Sequence, residues 1–321
     1  MGKLTVAAAL CATLAACFVS TRHASSAPTP TPSAAALQSG PHYDGCPVFP
    51  PGDPAYNRDL RDAPVDPNSA AYLDSLGSNR AWDNDVIEYL NVSAGGPLVT
   101  VRPKVRWHSM SPQPWEPGFR IEAVSDAHAF VLDTATCHLY ELYQAYYDGS
   151  LSAYSGGDWD LRRPFVSKPL GQSSAVASGL SMFAGAVKYR ELADGEVAHA
   201  LFLIVPYRTL AQWSFVRPAS STDGTAYAGS SALHLPYGAR LRLRADFPEN
   251  GAGPQATAVL HALKTYGAIV GDTGCCYKFV FMNDLNTKNA FDYADLRALD
   301  AIGPKDWQVL ALPEIRRVPG R

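Results

Sequence analysis

Short runs of alternating or continuous apolar residues, each cut off by glycine, proline or a small polar cluster, decide what this chain can fold into. Ala239 to Phe247 reads ARLRLRADF: Leu241, Leu243, Ala245 and Phe247 share one face, and Arg240, Arg242, Arg244 and Asp246 the other. A period of two is the period of a strand, so this run predicts a half-buried strand, wet on its arginine side. His128 to Asp133 (HAFVLD) and Cys137 to Tyr143 (CHLYELY) read as paired strands joined by a turn at Thr134-Ala135-Thr136. His199 to Pro206 (HALFLIVP) is continuously apolar and reads as an interior strand, while Tyr277 to Met282 (YKFVFM) is aromatic and β-branched, as strands prefer. With 25 glycines and 25 prolines as punctuation, the pattern predicts a mainly β fold, a jelly-roll-like β-sandwich with a few peripheral helices.

Three helices are expected. Ser69 to Leu76 is short. Pro254 to Tyr266 carries Ala256, Val259, Leu260 and Leu263 at helical spacing, and Gly267 supplies a left-handed stop. Asp292 to Ile302 ends at Gly303-Pro304. After Gly267, residues Ala268 to Val270 read as a short buried strand, out of which Gly271-Asp272 turns.

The N-terminus reads as a targeting segment. Lys3 precedes an apolar stretch over residues 4–16, which is too short to span a bilayer and suits an export signal. Leu14-Ala15-Ala16-Cys17 resembles a bacterial lipobox, making residues 1–16 a signal peptide and Cys17 the lipidation site. An ordinary signal cut near Ser25-Ser26-Ala27 is the alternative. Residues 17–42, rich in Pro, Ser, Thr and Ala, cannot bury a core and read as a tether. Residues 43–321 then form a single domain, exported and held in the cell envelope by its lipid anchor, or released outside the cell.

A net charge of −3 with scattered basic residues argues against a nucleic-acid partner. Four cysteines remain in the mature part: Cys46, Cys137, Cys275 and Cys276. Export permits disulfides. A Cys275–Cys276 bond closes a strained ring, so the expectation is that each reaches back to Cys46 or Cys137, with free thiols as the alternative. No CxxC or HxxxH spacing points to a metal, and no motif points to a cofactor.

Several blocks share a resemblance. LKTYGAIVGDTG (263–274) is similar to an LK(T/K)YGMIVADNG segment of a family of exported bacterial proteins. FPPGDPAYNRDLRDAPVDPNSAAYLDSLG (49–77) resembles its FPxDNxWN…PVxPxSxxYI stretch, DAHAFVLDTATCHLYELYQAY (126–146) its DxHxLVxDxxxCxLYEL block, and GEVAHALFLIVP (195–206) its GEIxHALRFTVP block. GDWDLRR (157–163) resembles a further F-D-L-x-S stretch. The resemblance implies a shared fold and export, and carries no activity. Tyr56-Asn57 stands where the family has Trp-Asn, Thr273 where it has Asn, and the stretch after Cys276 departs from the pattern.

The candidate chemistry is carbohydrate-directed. Glu141 sits mid-strand, where a carboxylate on a partly apolar face needs a partner or a raised pKa. Asp160 follows Trp159, an aromatic suited to a sugar ring; Asp158-Trp159-Asp160 as a plain turn is the bland alternative. Glu141 with Asp160 or Asp126 is the expected pair of a glycoside hydrolase. His199 is the expected orienting group or base, with a satisfied core histidine as the alternative. His128, Trp159, Lys264, Tyr266 and Asp272 are the expected glycan-binding residues; Lys264 and Tyr266 otherwise serve as a snorkelling lysine and a backbone-bonded tyrosine. Two other readings stand beside the hydrolase: a non-catalytic glycan-binding lipoprotein, and a polysaccharide lyase built on His199, Tyr266 and Lys264.

Overall fold

The computed structural model describes residues 41–77, 82–106, 108–224, 233–286 and 291–318. The expected signal peptide, Cys17 and all but the last two residues of the expected tether lie outside them. The fold is mainly β, with short helices at its margins. No helix among the described residues is long and apolar enough to cross a membrane.

The expected hairpin is present. Ala129–Asp133 pairs antiparallel with His138–Tyr143, from Ala129 opposite Leu142 to Asp133 opposite His138. Asp133 shapes the turn by accepting from the Ala135 amide at 3.0 Å and the Thr136 hydroxyl at 2.7 Å. Ser155–Asp160 and Asn91–Ser93 flank the pair to make a four-stranded sheet. Both of its faces are covered. Phe130, Leu132, Leu139 and Trp159 enter the main core, whereas Ala129, Val131, Tyr140 and Leu142 enter a smaller one with Val101 and Trp115.

The main core is shared with a seven-stranded sheet. Leu201–Pro206 lies in its interior, parallel to Ala268–Gly274 on one side and antiparallel to Tyr277–Met282 on the other. Trp82–Ile87 adds in parallel to Tyr277–Met282, so this sheet is mixed. The helix Pro254–Thr265 buries Ala256, Val259, Leu260 and Leu263 as its spacing predicts. Asp295 satisfies its open N-terminus, accepting from the amides of Gly253, Gln255 and Ala256. Gly267 ends it at φ +70°, where a β-carbon would fall 2.2 Å from the Leu241 carbonyl oxygen.

Four expectations are corrected. The strand Arg240–Leu243 is shorter than its alternation suggests, and its arginine face is covered. Arg242 is buried under residues 60–63, donating to the carbonyls of Leu60, Arg61 and Ala63 and to Gln308 Oε1. Only beyond the strand do Arg244 and Asp246 reach water, paired at 2.9 Å. Gly271-Asp272 does not turn out of its strand, which runs on to Gly274. The third helix is a single turn, Tyr293–Leu296, followed by the 3₁₀ segment Arg297–Ala301. Finally, Cys46 bonds Cys137, and Cys275 pairs with its neighbour Cys276, so neither of the latter reaches back.

Candidate functional site

Alternation along Ala268–Gly274 breaks at Gly271. Leu203 pairs with Val270, but Ile204 pairs with Asp272, leaving Gly271 as the extra residue of a bulge. A bulge re-aims the side chains that follow it. Asp272 is thereby turned from the face of Val270 to that of Ile204. A β-carbon on Gly271 would meet the Phe202 ring at 2.1 Å, so only glycine lets this ring lie against the strand.

Asp272 stands between two adjoining cavities, of about 520 and 270 Å³, which also share Asp126, His128 and Thr273. The larger is walled by Tyr143, Tyr154, Trp213 and His108, and carries Asp223 on its margin. The smaller adds Asp85, Glu122 and Lys278. Together they form one acidic, aromatic-walled cleft.

Asp126 and His128 arrive from the turn before Ala129–Asp133. Between them Ala127 holds φ +44°, a conformation that side chains disfavour. The turn is pinned by the amides of Gln144 and Ala145, which donate to the carbonyls of Asp126 and Ala127 at 2.8 and 2.9 Å. Trp213 also has a left-handed backbone, at φ +52°, and its ring covers Gly224. Non-glycine residues with such backbones concentrate at functional sites, where surrounding structure enforces them.

The electrostatics separate the acidic groups by role. Burial pushes the Asp272 carboxyl up to about 7, against the Thr273 amide that donates to it at 2.9 Å. The charges of Asp223 and Asp126 add to the rise, and His128 opposes it. The residual exposure of Asp272 is to the cleft it lines. For His128, burial disfavours the charged ring, but Glu122, together with Asp272 and Asp126, outweighs it and the pKa rises. Glu122 Oε2 lies 3.4 Å from Nδ1 and accepts from the His128 amide at 3.3 Å. Nε2 is buried and has no protein partner among the described residues. Asp223 accepts from the Tyr237 hydroxyl at 3.2 Å, which is 3.4 Å from Thr273 Oγ1, so the two carboxylate-bearing segments are joined.

Of the residues singled out by sequence, the structure brings Asp126, His128 and Asp272 together and sets the others elsewhere. Glu141 is fully buried, and its oxygens accept from the Ser181 hydroxyl at 2.6 Å and the amides of Met182 and Phe183 at 3.0 and 3.1 Å. It caps the short helix Met182–Gly185. Asp160 projects from the opposite sheet face: Glu141 is paired with Gly157, an odd number of residues away. Arg162, at 2.8 Å, and Arg163 hold Asp160 down to about 2. Trp159 packs into the core against Phe165, with Lys168 over its ring.

The expected lyase residues are dispersed in separate settings. His199 is fully buried between the Ala200 carbonyl and Glu191, at 2.9 and 3.2 Å, and Glu191 also faces Lys188. Lys264 is tied to Glu249 at 2.5 Å and to the Phe247 carbonyl. Tyr266 is buried, which raises its pKa.

Sequence reasoning missed Asp223, Trp213 and Glu122. The polar cluster Ser220-Ser221-Thr222-Asp223-Gly224 was the available signal for the first. The described residues include no group of three or more His, Cys, Asp or Glu side chains placed to hold a metal. Among known proteins, no family model, curated sequence or solved structure matches the chain.

Proposed function

We propose that the protein acts on carbohydrate chains as a glycoside hydrolase, with Asp272 as its acid and Asp126 or Asp223 as the second carboxylate. One arrangement carries this reading: Asp272, whose carboxyl burial pushes up to about 7, lies in the same cleft as two other carboxylates, under aromatic walls. A protonated Asp272 donates to the leaving glycosidic oxygen as the bond breaks. The second carboxylate either attacks the anomeric carbon or activates water against it. Trp213, Tyr143 and Tyr154 offer faces for sugar rings, and His128, braced by Glu122, offers Nε2 to a hydroxyl.

Two of the blocks that resemble the exported bacterial family, 126–146 and 263–274, supply Asp126, His128 and Asp272. The Cys46–Cys137 bond is compatible with export, and with a lipid anchor at Cys17 the cleft would work at the envelope surface.

The test is an assay of the protein on neutral, amino and uronate polysaccharides, reading reducing ends together with the ultraviolet absorbance of unsaturated uronates. Asp272→Asn is expected to lower kcat by roughly 10²–10⁴-fold while glycan binding persists. Release of unsaturated product would move the assignment to a lyase. Binding of a glycan without any turnover would leave a carbohydrate-binding protein.

A further inference from the structure

A third cavity, of about 480 Å³, shares no lining residue with the cleft. Phe165, Leu312 and Pro218 give it apolar walls, and Arg58, Arg217 and Arg240 contribute three guanidinium groups. No aspartate or glutamate lines it. Backbone carbonyls solvate two of the arginines without neutralising them. Arg240 Nη2 donates to Pro54 and Ala55, and Arg217 Nη1 to Lys168 at 3.2 Å.

The nearby Asp53 is already engaged, accepting from the amides of Ala55 and Tyr56 on one oxygen and of Phe165 on the other. Arg240 Nη1 is left buried with no protein partner among the described residues. Burial pulls the Arg240 guanidinium down to about 10; Tyr56 and Asp53 counter this, and Arg58 adds repulsion. A buried cation facing other cations is unfavourable unless an anion joins it.

We propose that this cavity is a binding site for an organic carboxylate with an apolar body, the class to which medium-chain fatty acids belong. One carboxylate oxygen accepts from Arg240 Nη1 and the other from the Arg217 guanidinium. The hydrocarbon lies along Phe165, Leu312 and Pro218. The volume falls within the range of small-molecule sites. Arg58, the exposed member of the three, draws the anion toward the mouth. The site is independent of the hydrolase reading and stands or falls separately from it.

Calorimetric titration of the whole protein with octanoate, 1-octanol and acetate tests this. Octanoate is expected to saturate one site, with octanol and acetate each at least about tenfold weaker, since each lacks one half of the match. Arg217→Met and Arg240→Met are expected to weaken octanoate by about tenfold or more. Arg58→Met, at an exposed position, keeps the test open if Arg240→Met does not fold, and is expected to weaken octanoate and to flatten the dependence of binding on salt. Absence of saturable octanoate binding, equal affinity for octanol, or indifference to Arg217→Met would each overturn the proposal.

Discussion

Under the proposed hydrolase reading, one proton on Asp272 couples activity and stability to pH. The folded pKa of Asp272, about 7, stands above the ordinary 3.8. Stability contributed by the protonated form is therefore complete below about 3.8 and is lost as pH rises through about 7. Asp272→Asn removes that loss. Thermal melts across pH should find the variant the more stable by on the order of 2–4 kcal/mol near pH 8, with the gain vanishing near pH 4. The proposed hydrolysis should decline over the same range, because the acid loses its proton. Glu141 gives the opposite contrast. Glu141→Gln replaces an acceptor of three bonds with a group whose amide nitrogen cannot accept. Denaturant unfolding should show a cost of about 2–4 kcal/mol, while the turnover of each folded molecule stays near that of the parent.

At the scale of elements, the bulge at Gly271 explains both what a sequence reader can see of this site and what is hidden. HAFVLD and CHLYELY are legible because their apolar pattern and intervening turn are local. The Asp126-x-His128 pair travels with them. Gly271-Asp272 reads as a turn, since local chemistry cannot distinguish a glycine that ends a strand from one that inserts a residue into it. Arg240, Arg242 and Arg244 read as a wet face because the segment that covers the first two lies about 180 residues earlier in the chain. Glu141 reads as unpaired for the same reason, its donors being 40 to 42 residues away. Gly271→Ala tests the bulge: contact with Phe202 should cost about 1–3 kcal/mol. Activity should fall beyond what the remaining folded fraction explains, because Asp272 is displaced with the strand.

For the molecule as a whole, the four- and seven-stranded sheets share one core, and the cleft opens where the turn before Ala129–Asp133 approaches the bulged strand Ala268–Gly274. Its parts come from residues near 126, 213, 223 and 272, so the site exists only when these distant segments are assembled. The Cys46–Cys137 bond closes a loop spanning 91 residues of sequence. Replacing both cysteines by alanine should lower the unfolding free energy by about 2–5 kcal/mol, read from denaturant melts under oxidising conditions. Under reducing conditions parent and variant should converge.

That bond also sets how the molecule carries mechanical load. Residues 41–46 are the first described part of the chain, and tension arriving from the N-terminal side enters there. Cys46 passes it directly to Cys137, at the turn of the Ala129–Asp133 and His138–Tyr143 hairpin. The pull therefore bypasses the intervening 90 residues and cannot peel them away from the N-terminal end. It is borne by a sheet buried on both faces, one strand of which begins next to His128.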